Sequence, residues 1–220
     1  MISKKPCFKL CIIVFLSALV TLCHQPVSAD WNVETVVYST YTNNSSITLD
    51  DADSPIVALG GHHVYFSEWN GQGWTMELVD GGACWSADPS LAVDRLGRPV
   101  IAYDCDGSVR IARRSGQKWL INRAGGATGH VANDSFQLDG YDNPVISLCD
   151  SSDHALKLLR WDGSDWHIEI ADTECWGSQT SMELGQDGNP AILYKRSSDL
   201  LYAQWNGTQW DMERVGDIGG

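Results

Sequence analysis

The sequence predicts an all-β protein, a β-propeller built from four-stranded antiparallel blades. The first observation is a repeat of about 45 residues that occurs four times, each copy opening with a serine: Ser46, Ser90, Ser135 and Ser181. The second is that every copy holds four strand-sized segments separated by turn residues. A period of 40–50 residues with four short strands is typical of propeller blades. The copies place the blades at about residues 46–80, 90–124, 135–171 and 181–216.

Within a copy we name the strands A to D from the inside of the blade outward. Strand A alternates apolar and polar residues, as Ile47 and Leu49 show in the first copy, and this period of two is typical of a strand. Strand B opens with Pro and is almost continuously apolar, which is expected for a strand buried between neighbouring blades. The turns between A and B are rich in Asp, Asn and Gly. We expect their Asp side chains to cap turns, since the calcium-loop pattern of an EF-hand is absent.

The third and fourth strands form a hairpin with a constant signature. It reads Trp-[Asn/Asp]-Gly-x-x-Trp in three copies, and the second copy carries Arg114 in place of the first Trp. The glycine supplies a positive φ at the turn, and the two Trp are expected to pack across the strands. Strand D carries a repeated acid, Glu77, Glu169 and Glu213. We expect these side chains to lie at a solvated outer edge and to have no catalytic role.

Residues 1–29 are predicted to be a signal peptide. Lys4, Lys5 and Lys9 precede a 14-residue apolar stretch that ends at Cys23, and a small-residue cleavage site ends at Ala29. The stretch is short for a membrane span, and the residues before Cys23 lack the small side chains of a lipidation site. We therefore predict a propeller domain at residues 30–220 that is secreted or periplasmic and has no membrane partner after cleavage.

The beginning of the propeller domain carries an extra strand pattern. Residues 31–37 resemble strand D of the repeat, with no A, B or C before them. Two interpretations follow. The favoured one is that the chain is part of a larger ring of about five to eight blades; the alternative is that four blades close with one surplus strand.

Charge and cysteine content narrow the function classes. Without the signal peptide the chain has 12 basic and 28 acidic side chains, a net charge near −16. This charge excludes a nucleic-acid partner, because phosphate binding needs a basic surface.

Four cysteines remain after the signal peptide is removed: Cys84, Cys105, Cys149 and Cys175. In an exported chain they are disulfide candidates, and three pairings are possible. The blade pattern brings the loops of Cys84 and Cys105 to one face, and likewise Cys149 and Cys175, so we favour those two pairs. We predict no metal site, because no Cys-x-x-Cys pair is present, and no cofactor.

A candidate ligand site lies on the face that collects the D–A and B–C loops. Five residues before each opening Ser stands one ring of side chains: Tyr41, Trp85, His130 and Trp176. Aromatic side chains in loops suit stacking on sugar rings, and polar candidates on the same face are Asp104, Asp106 and His154. The alternative is that the ring wedges between blades. No nucleophile elbow, zinc-protease motif or phosphate loop occurs, so no catalytic residue is predicted.

The repeat resembles the blades of secreted bacterial β-propellers, and its [Asn/Asp]-Gly-x-x-Trp hairpins are similar to a degenerate Asp-box of sialidase-like propellers. The resemblance implies either glycan hydrolysis, as in sialidases, or sugar binding, as in seven-bladed bacterial lectins. A sialidase would need three Arg around its substrate's carboxylate, whereas Arg110, Arg113 and Arg114 belong to one strand of one blade. We therefore predict a lectin-like module that binds a glycan or a cell-surface carbohydrate. The alternatives are a sialidase-like glycoside hydrolase, complete or incomplete, and a non-catalytic scaffold with a protein partner.

Overall fold

Sixteen strands in chain order form four antiparallel sheets in the computed structural model, which describes residues 33–36, 42–84, 87–177 and 179–217, without the side chain of Asn43. Blade 1 is β1 (Thr42–Leu49), β2 (Pro55–Gly61), β3 (Val64–Trp69) and β4 (Trp74–Asp80). Blade 2 is β5 (Ser90–Val93), β6 (Pro99–Cys105), β7 (Ser108–Ser115) and β8 (Lys118–Arg123). Blade 3 is β9 (Phe136–Leu138), β10 (Pro144–Cys149), β11 (Leu156–Trp161) and β12 (Trp166–Asp172). Blade 4 is β13 (Thr180–Leu184), β14 (Pro190–Arg196), β15 (Asp199–Trp205) and β16 (Trp210–Asp217).

Each sheet is a simple meander in which consecutive strands pair. The innermost strands contact their neighbours in the order β1, β5, β9, β13. The predicted β-propeller of four-stranded antiparallel blades is confirmed, with four blades in the described residues. No helix occurs in the described ranges, and hence none that is long and apolar enough to cross a membrane.

The first strand begins at Thr42, a little before the repeat-opening Ser46. Residues 33–36, the described part of the predicted extra strand at 31–37, are not in a strand, and Val33 is 94% exposed. The rest of that segment lies outside the described residues, as does the predicted signal peptide at residues 1–29.

The core lies between the blades. Because side chains of a strand point alternately to its two faces, a blade with a neighbour on each side needs apolar residues on both faces. Three clusters result: Phe66 and Tyr103 lie in the one between blades 1 and 2, Leu148 in the next, and Ile192 in the third. All four side chains are buried.

The turns between strands A and B are capped by side chains, as predicted. One carboxylate oxygen of Asp50 accepts the backbone N–H groups of both Ala52 and Ser54, at 2.9 and 2.8 Å. Asp94 and Asp139 make the same pair of bonds in blades 2 and 3. These carboxylates stabilise backbone groups that would otherwise lack a partner at the turn.

The C–D hairpins show how the Trp-[Asn/Asp]-Gly-x-x-Trp signature works. The two Trp rings of each signature pack across the strands, with centroids 5.8 Å apart for Trp69 and Trp74, and similar distances hold in blades 3 and 4. Only the Gly of the turn has a positive φ, +88° at Gly71. Asn70 instead uses its Oδ1 to accept the N–H groups of Gln72 and Gly73, so the Asn closes the turn through its side chain.

The repeated Glu of strand D corrects one prediction. In place of a solvated edge, Glu169 accepts the indole N–H of Trp210 in the next blade at 2.8 Å. Glu77 pairs with Arg114 of the next blade at 3.2 Å. Both carboxylates are half-buried, and only Glu213, on blade 4, is exposed. The repeat therefore encodes a tie between neighbouring blades.

Both predicted disulfides are present. Cys84 is bonded to Cys105, and Cys149 to Cys175. Each bond joins a D–A loop to the end of a strand B, which shows that these two loop types emerge on the same face of the propeller. Backbone hydrogen bonds support the same arrangement, for example from the N–H of Cys175 to the carbonyl of His154.

Candidate functional site

A cavity of about 550 Å³ opens where the D–A loops meet the inner strands. Its lining contains one polar side chain from the start of each blade: Asn44, Asp88, Asn133 and Gln179. All four occupy the same position in the repeat, two residues before the opening Ser. The fourfold repeat thus assembles a ring of amide and carboxylate groups around one cavity, and we call these residues the polar ring.

Blade 4 forms one wall of the cavity. This wall contains Trp176, Thr180, Leu193, Tyr194, Lys195 and Leu200. It combines apolar surface with the ammonium group of Lys195, whereas the hydroxyls of Thr180 and Tyr194 are hydrogen-bonded to Ser147 and Asp172 of blade 3. Asp134 adds a second carboxylate to the lining beside that of Asp88. Counting Lys195 against the two carboxylates, the lining is acidic.

Trp176 is held in place although it is 45% exposed. Its ring stacks on His154 with centroids 4.8 Å apart and planes 16° from parallel. Its indole N–H donates to Glu174 at 3.0 Å, and its backbone N–H donates to the carbonyl of Lys195 at 2.8 Å. The preceding residue, Cys175, is fixed by its disulfide. A supported, exposed indole at the edge of a cavity is suited to stacking on a flat apolar ligand face.

A second group borders the cavity beside Asp88. Asp104 is buried, and its Oδ1 accepts the backbone N–H of Asp88 at 3.1 Å. Nδ1 of His130 lies 3.3 Å from Oδ2 of Asp104 and 3.9 Å from Oδ2 of Asp88. The amide of Asn44 donates to the other oxygen of Asp88. The inner edge of blade 2 therefore carries an acid pair with an imidazole beside it.

Burial raises the pKa of Asp104 above its ordinary value. Burial also raises the pKa of Asp88, and the charge of Asp104 adds to this rise because two nearby carboxylates disfavour each other's ionised form. Nearby His130 acts in the opposite direction on both carboxyl groups. Asp88 therefore keeps its proton to a higher pH than an exposed Asp would.

The same three side chains are the ones that could hold a metal ion. Single donor atoms of Asp88, Asp104 and His130 all lie within 4.8 Å of one another, and two carboxylates with an imidazole suit a borderline divalent cation. Asp80 also lies close to two cysteine sulfurs, those of Cys84 and Cys105. Those sulfurs are bonded to each other, so they offer no thiolate to a metal.

Of the seven residues predicted from sequence, four form two pairs, one lies apart, and two are outside the described residues. His130 lies beside Asp104, and His154 beside Trp176. Asp106 is exposed in the B–C turn of blade 2, where its φ is +50°, and it is not part of the cavity lining. The other two members of the predicted aromatic ring, Tyr41 and Trp85, lie outside the described residues.

The polar ring was not predicted, although a signal for it exists. Amides and carboxylates recur two residues before the opening Ser in all four copies, but a polar residue ahead of a strand is also typical of an ordinary loop. Only the structure shows that the four positions converge, since convergence depends on how the blades are arranged around the axis.

Comparison with protein-family models finds no match, and comparison with curated proteins finds none either. Among solved structures, the chain is similar to a protein of unknown function from Dyadobacter fermentans DSM 18053, with 14% identity and a TM-score of 0.57, over 82% of this chain and 70% of that one. A fucose lectin from Kordia zhangzhouensis, solved with methyl-fucoside, matches 58% of this chain and 99% of its own, with 16% identity and a TM-score of 0.44.

A GH43 glycoside hydrolase engineered to display endo-xylanase and exo-arabinofuranosidase activity matches 80% of this chain and 41% of its own, with 10% identity and a TM-score of 0.45. At these identities the comparisons show the fold alone.

Proposed function

We propose that the chain is an exported carbohydrate-binding protein and that its sugar site is the cavity lined by the polar ring and Trp176. The observation that carries the proposal is the combination in one cavity of an exposed, well-supported indole with amide and carboxylate groups from all four blades. Sugars present apolar C–H faces that pack on aromatic rings, and hydroxyls that both donate and accept hydrogen bonds.

The volume and charge of the cavity refine the proposal. About 550 Å³ lies in the range of sites for small ligands. Because Asp88 and Asp134 outnumber Lys195 in the lining, the ligand we propose is a neutral sugar rather than a sugar acid. Carboxylates and side-chain amides are also well suited to the paired hydroxyls of a pyranose, since each offers two polar atoms a short distance apart.

Export is the second part of the proposal. The two disulfides persist in oxidising compartments and are rare in the cytosol. Together with the predicted signal peptide at residues 1–29, they support a secreted or periplasmic location. Expression of the full chain in a bacterial host tests this directly, because N-terminal sequencing of the exported protein should begin after Ala29.

The binding test is a glycan array probed with the exported protein and with three variants. Trp176→Ala and Asn133→Ala should each weaken binding by about tenfold or more, a loss of about 1.4 kcal/mol or above. Tyr141→Ala is the matched control, because this Tyr is 81% exposed on an A–B turn at the opposite end of the blade. Equal binding by all four proteins would place the sugar elsewhere. No binding by any of them would contradict the proposal and favour the protein-interaction scaffold.

Glycan hydrolysis is the second candidate, and one observation favours it. Asp88 and Asp134 line the same cavity, and the raised pKa of Asp88 is the property that a general acid requires. Release of a chromogenic group from aryl glycosides, measured for the exported protein beside Asp88→Asn, tests it. Turnover that Asp88→Asn abolishes would make the protein a hydrolase, and no turnover would leave sugar binding as its function.

A further inference from the structure

Four blades are joined by only three buried clusters among the described residues. The clusters lie between blades 1 and 2, blades 2 and 3, and blades 3 and 4. Blades 2 and 3 therefore bury both of their faces. Blade 1 has one face, and blade 4 has one face, that belong to none of these clusters. We call them the open face of blade 1 and the open face of blade 4.

Matching positions are more exposed on these two faces than between two blades. Ile47 of β1 and Leu91 of β5 occupy the same place in the repeat, yet Ile47 is 68% exposed and Leu91 only 8%. On blade 4, Leu193 is 36% exposed, whereas the matching Ala102 of blade 2 is fully buried. Both Ile47 and Leu193 line a cavity of about 680 Å³ near the inner strands, so these two side chains face open space.

The hydrogen bond between a strand-D Glu and the Trp of the next blade is missing at the same two faces. Between blades 3 and 4, Glu169 accepts the indole N–H of Trp210. The indole N–H of Trp74 is the matching group on the open face of blade 1, and it is buried without a hydrogen-bond partner in the described part of the chain. Glu213 is the matching carboxylate on blade 4, and it is exposed.

The boundary between blades 1 and 2 shows a variant of this contact. Between blades 1 and 2, Glu77 is engaged by Arg114, and within the described ranges the indole N–H of Trp119 is left without a partner. On the open face of blade 1, Trp69 occupies the place that Arg114 has in blade 2. Glu68 points the other way and accepts a hydrogen bond from Arg114 at 3.2 Å.

We propose that two copies of this chain associate head to tail, with the open face of blade 4 in each copy packed on the open face of blade 1 in the other. The contact would repeat the geometry that already joins blades 3 and 4 and would bury apolar side chains such as Ile47 and Leu193. Glu213 would accept from Trp74 of the second copy once that indole, whose N–H is covered in the single chain, turns outward. Two such contacts related by a twofold axis close the assembly. The result is a ring of eight blades, and since propellers have about four to eight blades, a single ring has room for two copies.

The first experiment is the mass of the exported protein in solution, measured by sedimentation velocity and light scattering over a range of concentrations. A mass of two chains is expected. Ile47→Glu and Leu193→Glu should each raise the dissociation constant by at least about tenfold, because each places an unpaired charge in a desolvated contact. Leu96→Glu is the matched control, since Leu96 is 73% exposed on an A–B turn away from both faces; it should remain dimeric.

The second experiment fixes the direction of the contact and does not depend on the glutamate variants folding. Trp74→Cys and Glu213→Cys are prepared separately with different tags, mixed and oxidised, after circular dichroism shows that each is folded. A cross-link between the two tags, formed only in the mixture, is the expected result. A monomer at every concentration would overturn the proposal and show that the open faces are covered within one chain. A dimer that survives both glutamate variants, or that cross-links through Glu213→Cys alone, would overturn it in favour of another interface.

Discussion

The indole N–H of Trp210 donates a hydrogen bond to Oε1 of Glu169 at 2.8 Å, across the boundary between blades 3 and 4. Because the bond joins a charged acceptor to a half-buried donor, it is of the stronger kind. Of the other two strand-D glutamates, Glu77 pairs with Arg114 of the next blade and Glu213 is exposed.

Glu169→Ala should therefore lower the free energy of unfolding by about 2 kcal/mol, because it removes the acceptor of a half-buried indole N–H. Urea denaturation followed by Trp fluorescence measures the change. Glu34→Ala is the control, since Glu34 is exposed and outside any strand, and it should change stability by less than about 0.5 kcal/mol. Equal effects from the two variants would contradict the inter-blade role of Glu169.

Gly163 tests the hairpin turns, because its φ of +102° belongs to the left-handed region. Gly163→Ala should cost about 1–2 kcal/mol through backbone strain alone. A steric clash does not contribute to this cost, because a Cβ at this position would meet no atom within 4 Å.

Gly126 is a matched control for this variant. A Cβ added there would likewise have open space around it, and the φ of Gly126 is not in the left-handed region. Gly126→Ala is expected to be neutral or slightly stabilising. Similar losses in the two variants, measured by thermal unfolding, would argue against a conformational cause.

The disulfide between Cys149 and Cys175 closes a loop with a sequence separation of 26 residues. The double variant Cys149→Ala/Cys175→Ala should lose about 3 kcal/mol of stability. Because Cys175 precedes Trp176, the same variant should also bind sugar more weakly even under conditions where it is fully folded. Unchanged sugar binding in the folded variant would show that His154, Glu174 and Lys195 hold the indole without the disulfide.

Asp150 should make stability depend on pH. It is buried and paired with Lys157 at 2.9 Å, and it accepts hydrogen bonds from Thr128 and Ser152. Burial alone would raise the pKa of Asp150, but hydrogen bonds from Ser152, Lys157 and Thr128 more than offset burial, so the pKa lies well below its usual range.

A carboxylate whose pKa is lowered by folding stabilises the folded state above the pKa of the unfolded chain, about 3.9, and loses this contribution as the pH falls further. Asp150→Asn should therefore cost about 2–3 kcal/mol at pH 7. The gap from the wild type should narrow between pH 4 and pH 2 in urea denaturation series. A gap that stays constant from pH 7 to pH 2 would show that the contribution of Asp150 is not electrostatic.

The fold and the disulfide pairs could be predicted because they depend on order along the chain. A repeat that carries four strands and a turn signature at fixed offsets specifies a blade, and it also specifies which loops share a face. For this reason the pairing of Cys84 with Cys105 followed once the two loop types were assigned to one face.

The site could be predicted only in part, because it depends on angles between blades that no single copy encodes. His154 and Trp176 were both candidates, but their stacking could not be predicted. They lie in two different loops, and the repeat pattern does not give the distance between those loops. The prediction that Glu169 lies at a solvated edge was wrong for a related reason. A residue on an outer strand is solvated in an isolated blade and becomes half-buried only when the next blade adds its Trp.

Among the described residues, the three inter-blade clusters form a series in which blades 2 and 3 each pack on two neighbours and blades 1 and 4 on one. In a closed ring every blade would be supported on both sides. The series instead resembles a short linear chain of coupled units, in which unfolding starts at a terminus and proceeds inward. Amide protons of β14 and β15 should then exchange faster than those of β6 and β10, and assembly into a ring would abolish this gradient by removing the ends.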